Sequence, residues 1–172
     1  MLRENNKHSL IYQNSDGAED WLRRVGCFWR CGVNVAEAMT EHWVADVDEL
    51  NNLWYITQDL MLETLTGPEL YQGMAPITNF VLQHFGSTKR IVEVGMFQHG
   101  KTSFYGSYKA KLAEGHKPRR RYYIQKVKLP ETYNEPFHYR RVSRNGRVVF
   151  DPYFPPPSDV SVVYSIIFEE LV

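Results

Sequence analysis

The run SVVYSIIFEEL, residues 161 to 171, constrains this chain more than any other stretch. It is rich in β-branched residues, and its middle is apolar almost without interruption. A strand with one wet face alternates; a run that does not alternate reads as a central strand. A central strand needs partners, and the sequence offers several. KRIVEVGMF (89–97) and RYYIQKVKL (121–129) alternate at period two, and Pro130 stops the second. FHYRRV and RVVFDPY flank Ser143-Arg144-Asn145-Gly146, and Asn-Gly between two β-rich runs is a strong hairpin signal. Pro155, Pro156 and Pro157 end that hairpin.

The first half keeps helical time instead. Phe28, Cys31, Val35, Met39 and Trp43 fall on one stripe. Asp46 and Asp48 are N-cap candidates for a helix running through Leu50, Leu53, Trp54 and Ile56. A further helix is expected from about Asp59 to Thr64, before the breaker Gly67-Pro68. GMAPITNFVLQHFG reads as a short amphipathic helix with Gly86 as its C-cap. Gln98 to Pro118, rich in Gly, Ser and Lys, reads as a long loop. Helices first and an antiparallel sheet after them make the class α+β, in one domain over 1–172.

Net charge is zero, but its signs are segregated. No Lys or Arg occurs between Arg30 and Lys89, whereas from Lys101 to Lys128 Glu114 is the sole acid. Two solvated faces and a basic patch for a polyanion both fit that pattern. No run of about 18 apolar residues exists to span a membrane. MLRENNKHSL lacks the apolar core of a signal peptide, so a cytoplasmic protein is expected. The two cysteines, one helical turn apart, form no disulfide framework and fit a reducing compartment.

Those cysteines, Cys27 and Cys31, differ in prospect. Cys31 lies inside the apolar stripe and reads as a small buried hydrophobe. Cys27 lies at the stripe's edge and at the helix N-terminus, behind Gly26. Unpaired backbone N–H groups and the helix dipole there favour a thiolate. A nucleophile needs a base, and six histidines are available. None has a zinc-like spacing to another ligand, so neither a metal nor a cofactor is expected. His138 stands out through the hairpin. If Asn145-Gly146 is a two-residue turn, Arg140 meets Asp151 and His138 meets Tyr153. His138 and Asp151 are then diagonal neighbours on one face, and Asp151 can orient the imidazole. The competing reading is an ordinary Arg140–Asp151 ion pair, and a slip of one residue would separate His138 from Asp151 altogether.

Gly26-Cys27 opening a helix, His138-Tyr139 leading a strand and Phe150-Asp151-Pro152 after Gly146 occur in a telling order. The order resembles that of the papain-like cysteine peptidases. It is most similar to the bacterial branch related to the leader-peptide-cleaving peptidases of bacteriocin exporters. Phage-encoded and spirochaetal domains of unknown function share the layout. The resemblance covers nearly the whole chain. It implies a papain-like fold, a nucleophile at Cys27, a base at His138 and an orienting Asp151. There are departures. The family's oxyanion-hole Gln, some six residues before the cysteine, is replaced here by Trp21, and the nearest upstream Gln is Gln13. Phe28, Trp29 and Arg30 stand where small residues are usual. Gln125 or Asn34 is left as a candidate donor beside the Cys27 backbone N–H.

Three functions follow. One is a thiol hydrolase of a peptide, isopeptide or amide bond. A second is an inactive papain-like module that binds a protein partner. The third, disfavoured by the zero net charge, is nucleic-acid binding through 101–128, where tyrosines interleave with basic residues.

Overall fold

The structure is a computed structural model and describes residues 11–60, 62–64, 67–69, 74–117 and 119–171. Four helices come first: α1 (Asp20–Val25), α2 (Cys27–Thr40), α3 (Val47–Thr57) and α4 (Ala75–His84). A hairpin of β1 (Leu62–Thr64) and β2 (Gly67–Glu69) lies between α3 and α4. Then follow β3 (Arg90–Gln98), β4 (Lys101–Phe104), α5 (Gly106–Ala113), β5 (Arg121–Lys128), β6 (Phe137–Val142), β7 (Val148–Phe150) and β8 (Ser161–Leu171). The last six strands form one antiparallel sheet in the order β4-β3-β8-β5-β6-β7.

β8 is interior, as its composition demands. Its Ile166 and Phe168 join the main core with α1 to α4, while Ile167 faces a second, smaller core. Both faces of the strand are covered, which is why its apolar residues do not alternate. The second core is built by α5, whose Tyr108 packs with Val94 and Ile167.

α5 and β4 occupy the stretch that reads as a loop in the sequence. His99 and Gly100 (φ 48° and 78°) supply the tight β3–β4 turn. α5 has eight residues and only one of them, Tyr108, is buried, too little apolar periodicity to register. The helix expected over 59–64 is also absent. Gln58–Leu60 make a single 3-10 turn and Leu62–Thr64 pair with Gly67–Glu69. Six residues make too few helical hydrogen bonds to repay nucleation. Elsewhere the signals hold. Asp46 caps α3 by accepting from the Glu49 N–H at 2.8 Å. Gly86 (φ 76°) ends α4, with the Ser87 N–H returning to the Leu82 carbonyl.

α2 runs through the middle of the molecule. Every residue from Trp29 to Glu37 is buried, far more than one apolar stripe. Gly32 permits this: a side chain there would collide with Met74 of the segment leading into α4. Arg30, Asn34 and Glu37 are buried with it and bond one another. Arg30 Nη1 lies 3.0 Å from Glu37 Oε2, and Asn34 Nδ2 donates to the same oxygen at 2.9 Å. Arg30 also donates to the Ile11 carbonyl (2.9 and 3.1 Å), and the Val44 N–H donates to Glu37 (3.0 Å). Arg141 of β6 completes the set by donating to Asn34 Oδ1 at 2.9 Å.

Removing one member leaves a buried charge unanswered. Glu37→Leu is expected to lower the unfolding free energy by about 3–5 kcal/mol. The double variant Arg30→Met/Glu37→Leu should be more stable than either single one. Urea denaturation of the three variants checks both statements.

Candidate active site

Cys27 is positioned by a break between two helices. α1 ends and α2 begins at Gly26, whose N–H closes the last turn of α1 on the Leu22 carbonyl. A Cβ at Gly26 would run into the side chain and carbonyl of Leu22, so only glycine lets the second helix start so close to the first. Cys27 is thus the first residue of a fourteen-residue helix and is half-buried. The bulky followers do not crowd it. Trp29 points into the core, donating to Thr57 Oγ1 at 2.9 Å and meeting Trp54 edge-on at 5.2 Å. Arg30 turns inward to Glu37. Phe28 packs on the Tyr139 ring at 4.5 Å, beside His138 in sequence.

The hairpin differs from its sequence reading in an instructive way. The turn holds three residues rather than two. The Ser143 N–H bonds the Arg147 carbonyl, Gly146 takes φ 80°, and Val142 pairs with Val148. Continued outward, that register would set Tyr139 opposite Asp151 and put His138 on the other face. A bulge between Arg141 and Val142 absorbs the slip: Arg141 pairs with Phe150, and Val149 is the extra residue. Beyond the bulge the expected register returns. His138 Nε2 and Asp151 Oδ1 stand 2.7 Å apart, with their side chains about 6% and 8% exposed.

Asp151 spends its Oδ1 on His138 and on the Tyr153 N–H at 3.0 Å. It forms no ion pair with Arg140, which instead donates from Nε to Gln125 Oε1 at 2.9 Å. With the carboxylate accepting, Nε2 carries a proton and Nδ1 is the nitrogen left for another partner. Cys27 lies near enough to shift the pKa of the ring by its charge. The three residues singled out in the sequence are therefore brought together.

The His138 pKa reports the balance of these forces. Burial is the largest influence and pushes it down. The hydrogen bonds with Asp151 and Cys27, and the charges of both, outweigh burial and raise it to about 9. Cys31 has the opposite fate. It is fully buried, and burial followed by the charges of Cys27 and Asp151 pushes its thiol well above the ordinary range. Its place in the core keeps Cys31 from serving as a nucleophile.

Of the donors proposed from sequence for an oxyanion, Asn34 is occupied elsewhere. Asn34 uses both ends of its amide in the buried network. Gln125 is buried and accepts from Arg140. Trp21 keeps a buried indole N–H without a partner among the described residues. Gln13 has a role that its position in sequence did not reveal. Its side chain donates to the Arg23 carbonyl at 3.2 Å, and its N–H donates to the Pro152 carbonyl at 2.8 Å. It ties the segment before Cys27 to the residue after Asp151. Asn14 extends the strap by bonding both the N–H and the carbonyl of Phe154. Among the described residues no group of His, Cys, Asp and Glu could hold a metal. No helix of the described residues is long and apolar enough to cross a membrane.

Compared with protein-family models, with curated proteins and with solved structures, the chain matches none. The reading of the site rests on its own geometry.

The raised His138 pKa has a definite sign. The group binds its proton more tightly folded than unfolded, where the ordinary value is 6.5. Its stabilising contribution is complete below that value and is lost as pH rises through about 9. Asp151→Asn should lower the His138 pKa and weaken this dependence. Ring proton NMR resonances followed from neutral to alkaline pH measure it.

Proposed function

We propose that the chain is a cysteine-dependent hydrolase of a peptide, isopeptide or amide bond, built on a papain-like arrangement. One observation carries the reading: an imidazole held at one nitrogen by a carboxylate lies near a thiol at the first position of a buried helix. Each part has a chemical reason. The helix N-terminus stabilises a thiolate. A ring with a pKa near 9 keeps its proton at neutral pH and holds it ready for a leaving amine. Asp151 fixes the ring's orientation and stabilises its positive charge.

In the reaction the Cys27 sulfur attacks the substrate carbonyl carbon and forms a C–S bond. The carbonyl electron pair moves to oxygen. When the tetrahedral species collapses, the C–N bond breaks and His138 gives its proton to the leaving amine. A water then loses a proton to His138 and attacks the thioester. The C–S bond breaks, and the acid product leaves with the thiolate–imidazolium pair restored. The Cys27 backbone N–H, at the head of the helix, is a suitable donor to the oxyanion. The substrate class is a peptide or protein.

A second reading has a specific observation behind it. Trp21 stands in the place of the family's Gln, and Asn34 is committed to other bonds. A papain-like module that binds a protein partner without cleaving it accounts for that.

Alkylation separates the two. Iodoacetamide should modify Cys27 rapidly near pH 6 and leave Cys31 untouched in the folded protein. His138→Ala should slow Cys27 by roughly tenfold or more at that pH, because the imidazole that assists the sulfur is then gone. Mass spectrometry over about pH 4 to 9 assigns the sites. A Cys27 that reacts at the same rate with and without His138 sinks the hydrolase reading.

A further inference from the structure

Away from Cys27, at the other end of the β5–β6 pair from His138, the structure gathers positive charge. A cleft of about 410 Å³ is lined by Arg119, Arg120, Arg121, Arg141 and Arg144, and no Asp or Glu lines it. Arg121 is answered by the buried Glu169, 3.1 Å from its Nε. Arg119, Arg120 and Arg144 have no ion pair among the described residues. Glu170, whose charge reaches Tyr122 on the wall, is itself 3.6 Å from Lys89.

Two of the guanidiniums are also held in place. Arg120 and Arg141 each lie 5.4 Å from the centre of the Tyr122 ring. Arg141 is buried and fixed from behind by Asn34. Packing two cations on one ring and leaving others beside them opposes their mutual repulsion. Guanidinium forks match phosphate oxygens, and a positioned fork loses little freedom on binding. A single carboxylate would neutralise one of these charges; a phosphate or diphosphate neutralises several. The volume falls in the range of small-ligand sites. We propose that this cleft binds a phosphate-bearing ligand of about nucleotide size. The proposal is independent of the thiol chemistry.

Pyrophosphate is the probe. Titrated by calorimetry into the full chain, it should bind and raise the melting temperature, while sodium chloride at equal ionic strength does neither. Arg120→Ala and Arg144→Ala are exposed sites, so the fold should survive both. Each should weaken pyrophosphate binding by roughly 5–10-fold. Lys109→Ala on α5, outside the cleft, should leave binding unchanged, as should Cys27→Ala. Arg144→Glu, a second variant at the exposed turn, should abolish binding.

Pyrophosphate binding no tighter than chloride overturns the site. So does an equal loss in Lys109→Ala, which would mean diffuse charge rather than a built cleft. A single-stranded oligonucleotide that binds at least about a hundredfold tighter than its mononucleotide, and loses affinity in Lys109→Ala, would replace the confined ligand by an extended polyanion track.

Discussion

The molecule is organised around a carboxylate and a guanidinium that have no contact with water. Glu37 and Arg30 are both fully buried, and removing such a pair from solvent costs several kcal/mol per ion. The cost is tolerable because each group is saturated. Glu37 accepts from Arg30, Asn34 and the Val44 N–H, and Arg30 reaches the Ile11 carbonyl as well. The net return in stability from such a pair is small. Its larger effect is directional: it fixes three separate pieces of chain by bonds that work only at one spacing and one angle. Through Ile11 it holds the N-terminal segment, and through Asn34 and Arg141 it holds β6. Cys27 precedes Arg30 by one helical turn, and His138 lies on the same strand as Arg141. The thiol and the imidazole are therefore mounted on the two elements that the network joins.

The rest of the site is adjusted at the edge of the sheet. Three residues in the hairpin turn shift the register one way, and the extra Val149 shifts it back before Asp151. Strand pairing alone leaves that edge loose, since β7 has only three residues. The strap of Gln13 and Asn14 across Pro152 and Phe154 compensates, aided by Tyr12 stacked on Phe150 and Phe154.

How much of this could be read in advance depended on whether the signal was apolar. The central place of β8, the ends of α4, the hairpin and the burial of Cys31 follow from spacing and turn chemistry. So did the diagonal pairing of His138 with Asp151, though through a turn of the wrong length, because the bulge cancels the error. Arg30, Asn34 and Glu37 were invisible as core residues, since periodicity marks apolar positions and treats charge as solvent-facing. Arg30 in particular reads as an obstruction beside Cys27 until its partner is known. α5 leaves no sequence signal for a related reason: it is anchored mainly by Tyr108, whose hydroxyl bonds the buried Glu169 with Arg121 and His116 around it. That anchor joins residues far apart in sequence, which no local pattern records.

The interior place of β8 governs when the sheet can exist at all. β3 with β4, and β5 with β6 and β7, share no ladder except through β8. As the chain leaves the ribosome these are two separate strand groups, each presenting an open edge toward a gap. The helical half can collapse first on local contacts, but the sheet closes only after residue 171 is free to enter between the halves. Such long-range pairing is intrinsically slow, and the waiting edges are ready templates for other chains. Until β8 inserts, those edges stand uncovered, and its insertion is what covers them.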